Sequence, residues 1–205
     1  MKCYIIYLPM YPISLSSGNH AFKTGIDLGW DVELFEGVDG KTVASDEAWN
    51  LYNVPMNREN KKCSKMLDRP GVRGCFLSHW KLWNLCVDTN DTIGVFEHDV
   101  EFLKPPLNSF TFDEFLRLEG FEKQKSKPAG EWYEGTRGYI INPIGAKKLI
   151  DWVKINGCLP ADVNVGSNIL KIELDSNKLI RDRTVHVDRN SKHTNSFTWN
   201  LGNMK

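Results

Sequence analysis

The chain has 205 residues, with 26 basic and 26 acidic side chains, a formal net charge of +0 and a pI near 7.0. That balance excludes a global field drawing the chain to nucleic acid or to a membrane surface, so any such contact must come from a local patch. Hydrophobic residues at 41% and charged residues at 25% are ordinary for a soluble globular protein of one large domain or two very small ones.

In chain order, Cys3 to Leu8 is an apolar run stopped by Pro9 and Pro12, which predicts a first, central strand. Ser14 to Asn19 reads as a polar loop able to cap a helix. Phe22 and Ile26 then share one helical face, and Gly29 closes the segment. Asp31 to Phe35 alternates and predicts a second strand. Together these form a βαβ unit, whose crossover implies a parallel pair. The strand ends in Glu36-Gly37-Val38-Asp39-Gly40, either a simple turn or one that lets backbone approach a ligand while Asp39 binds a hydroxyl.

Ser45-Asp46-Glu47 predicts a short capped helix. Arg58 to Arg73 is the most basic part of the chain, and reads either as a solvated loop or as a receiver of phosphates. Asp68-Arg69-Pro70-Gly71 reads as a turn. From Gly74 the spacing of Leu77, Trp80, Trp83 and Val87 predicts a helix, with the tryptophans in the core. Ser78 and His79 would fall in its first turns, where free N–H groups favour anions.

Ile93 to Phe96 predicts a buried strand, and Glu97 and Asp99 follow where the apolar run ends. In extended backbone residues two apart point to one side, so this pair would hold a hard divalent cation or act as acid and base. A solvated strand end would carry the same letters. Thr111-Phe112-Asp113-Glu114 matches a capping box and predicts a helix to about Glu119. Phe121 to Gly130 reads as a mobile loop. Trp132, Tyr133, Glu134 and Arg137 make a sugar or base platform, or a packed loop, before a strand at Gly138 to Ile141. Asn142 caps and Pro143 starts a helix that Gly157 stops. Asp162 follows a turn. Lys171 to Leu174 and Leu179-Ile180 predict a hairpin, and Thr184 to Val187 a short strand. Residues 188–205 read as a closing tail on a single domain spanning 1–205.

The five cysteines, Cys3, Cys63, Cys75, Cys86 and Cys158, are odd in number and form no CxxC pair. This predicts a reducing compartment, with Cys3 and Cys75 as small core residues. The amino terminus lacks a signal-peptide core and no apolar stretch is long enough to cross a bilayer, so a cytoplasmic protein without membrane contact is expected.

Five segments in order resemble glycosyltransferase family 25, which includes lipooligosaccharide and collagen galactosyltransferases. They are Phe35 to Gly40, Gly74 to His79, Phe96 to Val100, Gly138 to Ile141 with Gly145 to Leu149, and Pro160 to Asp162. The resemblance implies a GT-A-type, Rossmann-like α/β fold, an αβα sandwich with a mostly parallel central sheet. It implies a UDP-sugar as donor, a divalent metal (Mn or Mg), and inversion at the anomeric carbon. Carried over by position, Glu97 and Asp99 match the family's Glu-Asp-Asp metal motif, with His98 in place of the middle acid. Asp39 matches an acid facing the nucleoside, and Ser78 and His79 match its Ser-His.

Metal ligands are then expected from Asp99, Glu97 and His193, with His186 a further tail candidate. Donor contacts are expected from Leu8, Asp39, Gly40, Arg73, Ser78, His79, Glu97 and His98. Asp162 is the first choice of base and Glu134 the second. The run Pro9 to Ser14 departs from the family's usual basic segment. Small members with Glu-His-Asp resemble those of tailed bacteriophages, some of which glycosylate hydroxymethylated cytosine in DNA. The acceptor expected is such a base, reached in a host cytoplasm, or else a cell-surface saccharide. Two rivals are a non-catalytic nucleotide-sugar binding protein and a dinucleotide oxidoreductase. No GxGxxG follows the first strand, as the latter would need.

Overall fold

The computed structural model describes residues 1–118, 128–131 and 136–183. The opening apolar run forms β1 (Cys3–Tyr7). Pro12 begins α1 (Pro12–Asp27), because its fixed φ and missing N–H cost nothing at the first helical position. The polar stretch expected as a loop is therefore helical. Its fully buried residues are Ser14, Gly18, Ala21 and Gly25; Phe22 is half-buried against the same core, whereas Ile26 is half exposed. These small residues recur at helical spacing and let the backbone lie close to the sheet. A Cβ on Gly18 would stand 2.9 Å from that of Tyr7. The helix returns the chain to β2 (Val32–Glu36), which pairs parallel with β1 from Cys3 opposite Val32 to Tyr7 opposite Glu36.

A 3₁₀ turn, Gly40–Val43, leads to α2 (Asp46–Asn50), capped by the Ser45 hydroxyl as expected. The basic stretch is not an open loop. It holds α3 (Lys61–Leu67) and runs directly into α4 (Pro70–Thr89). Pro70 starts α4 a turn earlier than the apolar spacing suggested, and Leu77, Trp80 and Trp83 are buried along it. β3 (Ile93–Glu97) follows. The chain then turns at His98 and Asp99 before β4 (Val100–Phe102).

The capping-box segment does not start a helix. It precedes β5 (Phe115–Arg117), whose residues are all buried. Tertiary partners outweigh the local signal: the Glu114 carboxylate accepts the Lys171 N–H and an Nζ–H of Lys148, and the Asp113 N–H goes to Glu173. β6 (Gly138–Ile141) and α5 (Pro143–Asn156) form as predicted, with Asn142 accepting the Gly145 N–H and Gly157 ending the helix at φ 79. After α6 (Ala161–Asn164) come β7 (Ile172–Leu174) and β8 (Ile180–Asp182). These two are not the expected hairpin. β7 pairs parallel with β5, while β8 pairs antiparallel with β4 in a separate two-stranded sheet.

The main sheet has the order β2-β1-β3-β6-β5-β7. β6 runs against both neighbours, and the other five strands run one way. Both faces are covered. Tyr139 and Ile141 pack with Phe76, Leu77, Trp83 and Leu149 under α4 and α5. Ile140, one residue out of step, packs with Ile5, Ala21, Trp30 and Phe102 under α1 and the small sheet. The expected αβα sandwich with a mostly parallel sheet is what forms. Because β6 is reversed, its start lies beside the carboxyl ends of β1, β2 and β3, so Thr136 and Arg137 join Glu97 at that edge. The segment 184–187 and the tail 188–205 lie outside the described residues.

Candidate active site at the carboxyl edge of the sheet

Glu97 ends β3, with its N–H held by the carbonyl of Arg137 at 2.8 Å. Its Oε1 accepts the Thr136 hydroxyl at 3.1 Å and lies 3.6 Å from Nε2 of His79. Burial alone would raise the Glu97 pKa, but the His79 N–H, with Arg137 and His98 beyond it, outweighs burial and holds the carboxyl well below its usual range. Glu97 and Asp99 do not leave one extended strand on one side, because the chain turns between them. Glu97 still lies within 4.8 Å of the Cys75 sulfur, and the charges of Asp99 and Asp162 reach the same thiol. Burial first, then the charges of Glu97, Asp162 and Asp99, push the Cys75 thiol well above its usual value. Asp162 stands in the first turn of α6, and burial followed by the Glu97 charge raises its pKa to about 6.

A second group lies where β1 and β2 end. The Asp39 carboxylate accepts the Tyr11 hydroxyl at 3.0 Å and the Lys41 N–H at 3.0 Å, and Lys41 Nζ stands 5.3 Å from the Tyr11 ring centre. The turn carrying Asp39 is laid on α4 backbone to backbone. A Cβ on Gly40 would come within 2.0 Å of the Pro70 carbonyl oxygen, and one on Gly74 within 2.5 Å of that of Val38. Ser78 fastens the same turn: its Oγ accepts the Val38 N–H at 2.9 Å and donates to the Gly74 carbonyl at 2.7 Å.

These placements sort the expected residues. Asp39 follows the carboxyl end of β2, Glu97, His98 and Asp99 stand at that of β3, and Asp162 is close enough to Glu97 to feel its charge. Ser78 and His79 are not in the first turn of α4, because the helix begins at Pro70; both are buried behind the site and support it. Gly40 supplies close packing. Leu8 gives its N–H to Ser14 and its carbonyl to Tyr11. Arg73 is 4% exposed and binds the carbonyls of Leu67, Val43 and Ala44 and the Asp46 carboxylate. Its guanidinium is spent within the fold, and is not offered to a phosphate. Glu134, His186 and His193 lie outside the described residues, as do Trp132 and Tyr133.

The family model for glycosyltransferase family 25 (LPS biosynthesis protein) matches residues 8–131. The chain belongs to glycosyltransferase family 25. Mouse procollagen galactosyltransferase 2 is 29% identical over 157 residues, covering 64% of this chain and 25% of that protein. The lipooligosaccharide biosynthesis protein lex-1 of Haemophilus influenzae is 33% identical over 143 residues, covering 54% of this chain and 43% of that one. The chain spans about a quarter of the length of the first curated relatives it matches. Galactosyltransferase LgtC, solved with donor and acceptor sugar analogues, is 12% identical with a TM-score of 0.46, covering 85% of this chain and 73% of that one.

For the divalent cation that family 25 resemblance implies, the donor set at this edge is suitable in type. Among the described residues, Cys75, His79 and Glu97 bring ligand atoms within 4.8 Å of one another. A neutral thiol is a poor ligand, whereas carboxylates suit Mg or Mn. By chemical type Glu97 of this group suits such a cation, and Asp99, two residues on, is a carboxylate of the same kind. Family motifs pointed to these acids, but Tyr11, Lys41 and Thr136 were missed, and Arg137 was read only as part of a sugar or base platform. Tyr11 lies in the run that departs from the family pattern, and Thr136 reaches Glu97 only because β6 is reversed. Cys75, expected in the core, is half-buried at the site.

Proposed function

We propose that the chain transfers a sugar from a UDP-linked donor to an acceptor hydroxyl in a single, inverting displacement. The observation that carries this reading is Glu97 closing β3 within 4.8 Å of Cys75, at the edge where β1, β2 and β3 end, with the charges of Asp99 and Asp162 reaching the same thiol. In open α/β sheets that edge is where ligands bind. Membership of family 25 supports the reaction class, and the name of the mouse relative makes UDP-galactose the first donor to test.

Asp39, flanked by Tyr11 and Lys41, faces the nucleoside in this reading. Glu97 and Asp99 would hold Mn or Mg, with His193 of the tail as a further ligand. Bound there, the cation would neutralise the diphosphate and so stabilise the leaving group. Asp162 takes the proton of the attacking hydroxyl. Its pKa of about 6 suits a base that is ionised at neutral pH yet still holds a proton readily. Glu97, held ionised, and Asp162, held closer to protonation, are two carboxylates whose surroundings give them different work.

The acceptor in this reading is a saccharide hydroxyl. The basic stretch expected to grip DNA phosphates is partly committed elsewhere: Arg73 is buried, and Arg58 pairs with Asp68 at 3.1 Å. The testing experiment is a thermal-shift panel of UDP-sugars, with Mn and with chelator, on the wild type and Asp99→Asn. It is followed by turnover assays on saccharides and on hydroxymethylated DNA. Stabilisation by one UDP-sugar that needs metal and Asp99 is expected. Binding without turnover on any acceptor would favour a non-catalytic binding protein, and transfer to DNA alone would replace the saccharide.

A further inference from the structure

Behind Glu97 lies a row of buried polar atoms that the proposed chemistry does not use. Trp83 is fully buried on α4, and its Nε1–H donates to the Tyr139 hydroxyl oxygen at 2.9 Å. That oxygen lies 2.9 Å from Nδ1 of His79, one helical turn before Trp83. Nε2 of the same imidazole lies 3.6 Å from Glu97 Oε1. The rings are held in place by stacking, with Tyr139 at 5.8 Å from His79 and at 4.6 Å from Phe115.

The donor inventory fixes the direction of this row. An indole N–H can only donate, so the Tyr139 oxygen accepts from Trp83. Tyr139 must then place its own hydrogen, and the acceptor in reach is Nδ1 of His79. If Nδ1 carried a hydrogen, the Tyr139 oxygen would receive two donors and its buried O–H would have nowhere to go, at a cost of about 1–3 kcal/mol. His79 is thus the tautomer protonated on Nε2, and that N–H faces Glu97. At 3.6 Å it is beyond hydrogen-bond length, so it presents a proton, not a lone pair, to the carboxylate and is not free to ligate a metal.

We propose that Trp83, Tyr139 and His79 form a directed hydrogen-bond relay that fixes the His79 Nε2–H toward the Glu97 carboxylate and, through that close electrostatic contact, sets the orientation of the carboxylate. The Thr136 hydroxyl donates to Oε1 at 3.1 Å, and the His79 Nε2–H faces the same oxygen at 3.6 Å. Oε2 takes no hydrogen bond from the described residues, which leaves it for the cation. His79 and Tyr139 are positioning residues here, and this use of Oε2 rests on the transferase reading above.

The test has two arms. Long-range ¹H–¹⁵N correlation spectra of the whole protein, with the His79 signals assigned by their loss in His79→Gln, are expected to find the Nε2–H tautomer. An Nδ1–H tautomer overturns the relay, whether or not any sugar is transferred. Titration of Mn into the UDP-bound protein is the second arm. Tyr139→Phe is expected to raise the half-saturating Mn concentration by about 10–100-fold, the usual effect of losing a partner behind a metal ligand, with binding restored at excess Mn. Unchanged Mn affinity overturns the positioning role. If Tyr139→Phe does not fold, Trp83→Phe carries the same expectation, and the wild-type tautomer decides the relay alone. If the wild type binds neither Mn nor UDP, the transferase reading fails while the tautomer still decides the relay.

Discussion

The Ser78 hydroxyl accepts the Val38 N–H at 2.9 Å, across 40 residues of chain, and ties the Asp39 turn to α4. Both partners are buried, so removing the hydroxyl leaves an amide without an acceptor. Ser78→Ala is expected to cost about 1–3 kcal/mol in urea unfolding. Because the same bond sets the height of Asp39 over the site, KM for the nucleotide sugar should rise more than kcat falls. Loss of stability with an unchanged KM would make Ser78 purely structural.

Gly40 is expected to tolerate no side chain. Its absent Cβ would stand 2.0 Å from a backbone oxygen of Pro70, and backbone cannot swing aside as a flexible side chain can. Gly40→Ala should destabilise by at least about 2 kcal/mol through overpacking. Gly29 offers the contrast. A Cβ there would meet no atom of the described residues within 4 Å, and its φ is +83, so Gly29→Ala should cost only the backbone strain, about 1 kcal/mol. Equal losses at the two positions would contradict the close approach of the turn to α4.

Arg73 should report on stability before it reports on donor binding. Four of its hydrogen bonds join α4 to α3, to the 3₁₀ turn and to α2. Arg73→Met keeps the stem but leaves buried carbonyls bare, and is expected to cost about 3 kcal/mol or more. At temperatures where the variant is still folded, its affinity for a UDP-sugar should stay within about threefold of wild type. A large loss of affinity in a folded variant would restore the phosphate-binding expectation.

How much of this was legible depends on how local the determining contact is. α5 could be read to the residue because its cap, its first-turn proline and its stop are neighbours in sequence: Asn142, Pro143 and Gly157. β1, β3 and β6 could be read because both faces of each are buried, which needs an unbroken apolar run. The segment from Thr111 carries an equally good local signal and was misread. Its fate is set by Lys148 and Lys171, 34 and 57 residues away, and no periodicity reports on them. The site divides in the same way. Glu97 and Asp99 stood out because acids closing an apolar strand are unusual. The Tyr139 hydroxyl behind them carries no such local signal, and its role depends on which side of β6 faces α4.

Asp162 should govern both stability and rate as pH changes. Burial and the Glu97 charge raise its pKa from 3.8 to about 6 in the folded chain. Below about pH 4 the carboxyl is protonated whether folded or unfolded, and it makes no difference to stability. Between about pH 4 and pH 6 the unfolded chain gives up its proton while the folded chain keeps it, so stability falls as pH rises. Above about pH 6 both forms are ionised, and the deficit levels off at no more than about 3 kcal/mol. Asp162→Asn removes that deficit. Its Tm should exceed the wild-type value by several degrees at about pH 8, and by much less at about pH 4.5. The same variant should lose about 10²–10⁴-fold in kcat, and the acid limb near pH 6 in kcat/KM should disappear with it. Scanning calorimetry at the two pH values and a pH–rate profile read both effects. A variant that gains stability yet keeps the wild-type rate would leave Asp162 a buried acid with no part in proton transfer.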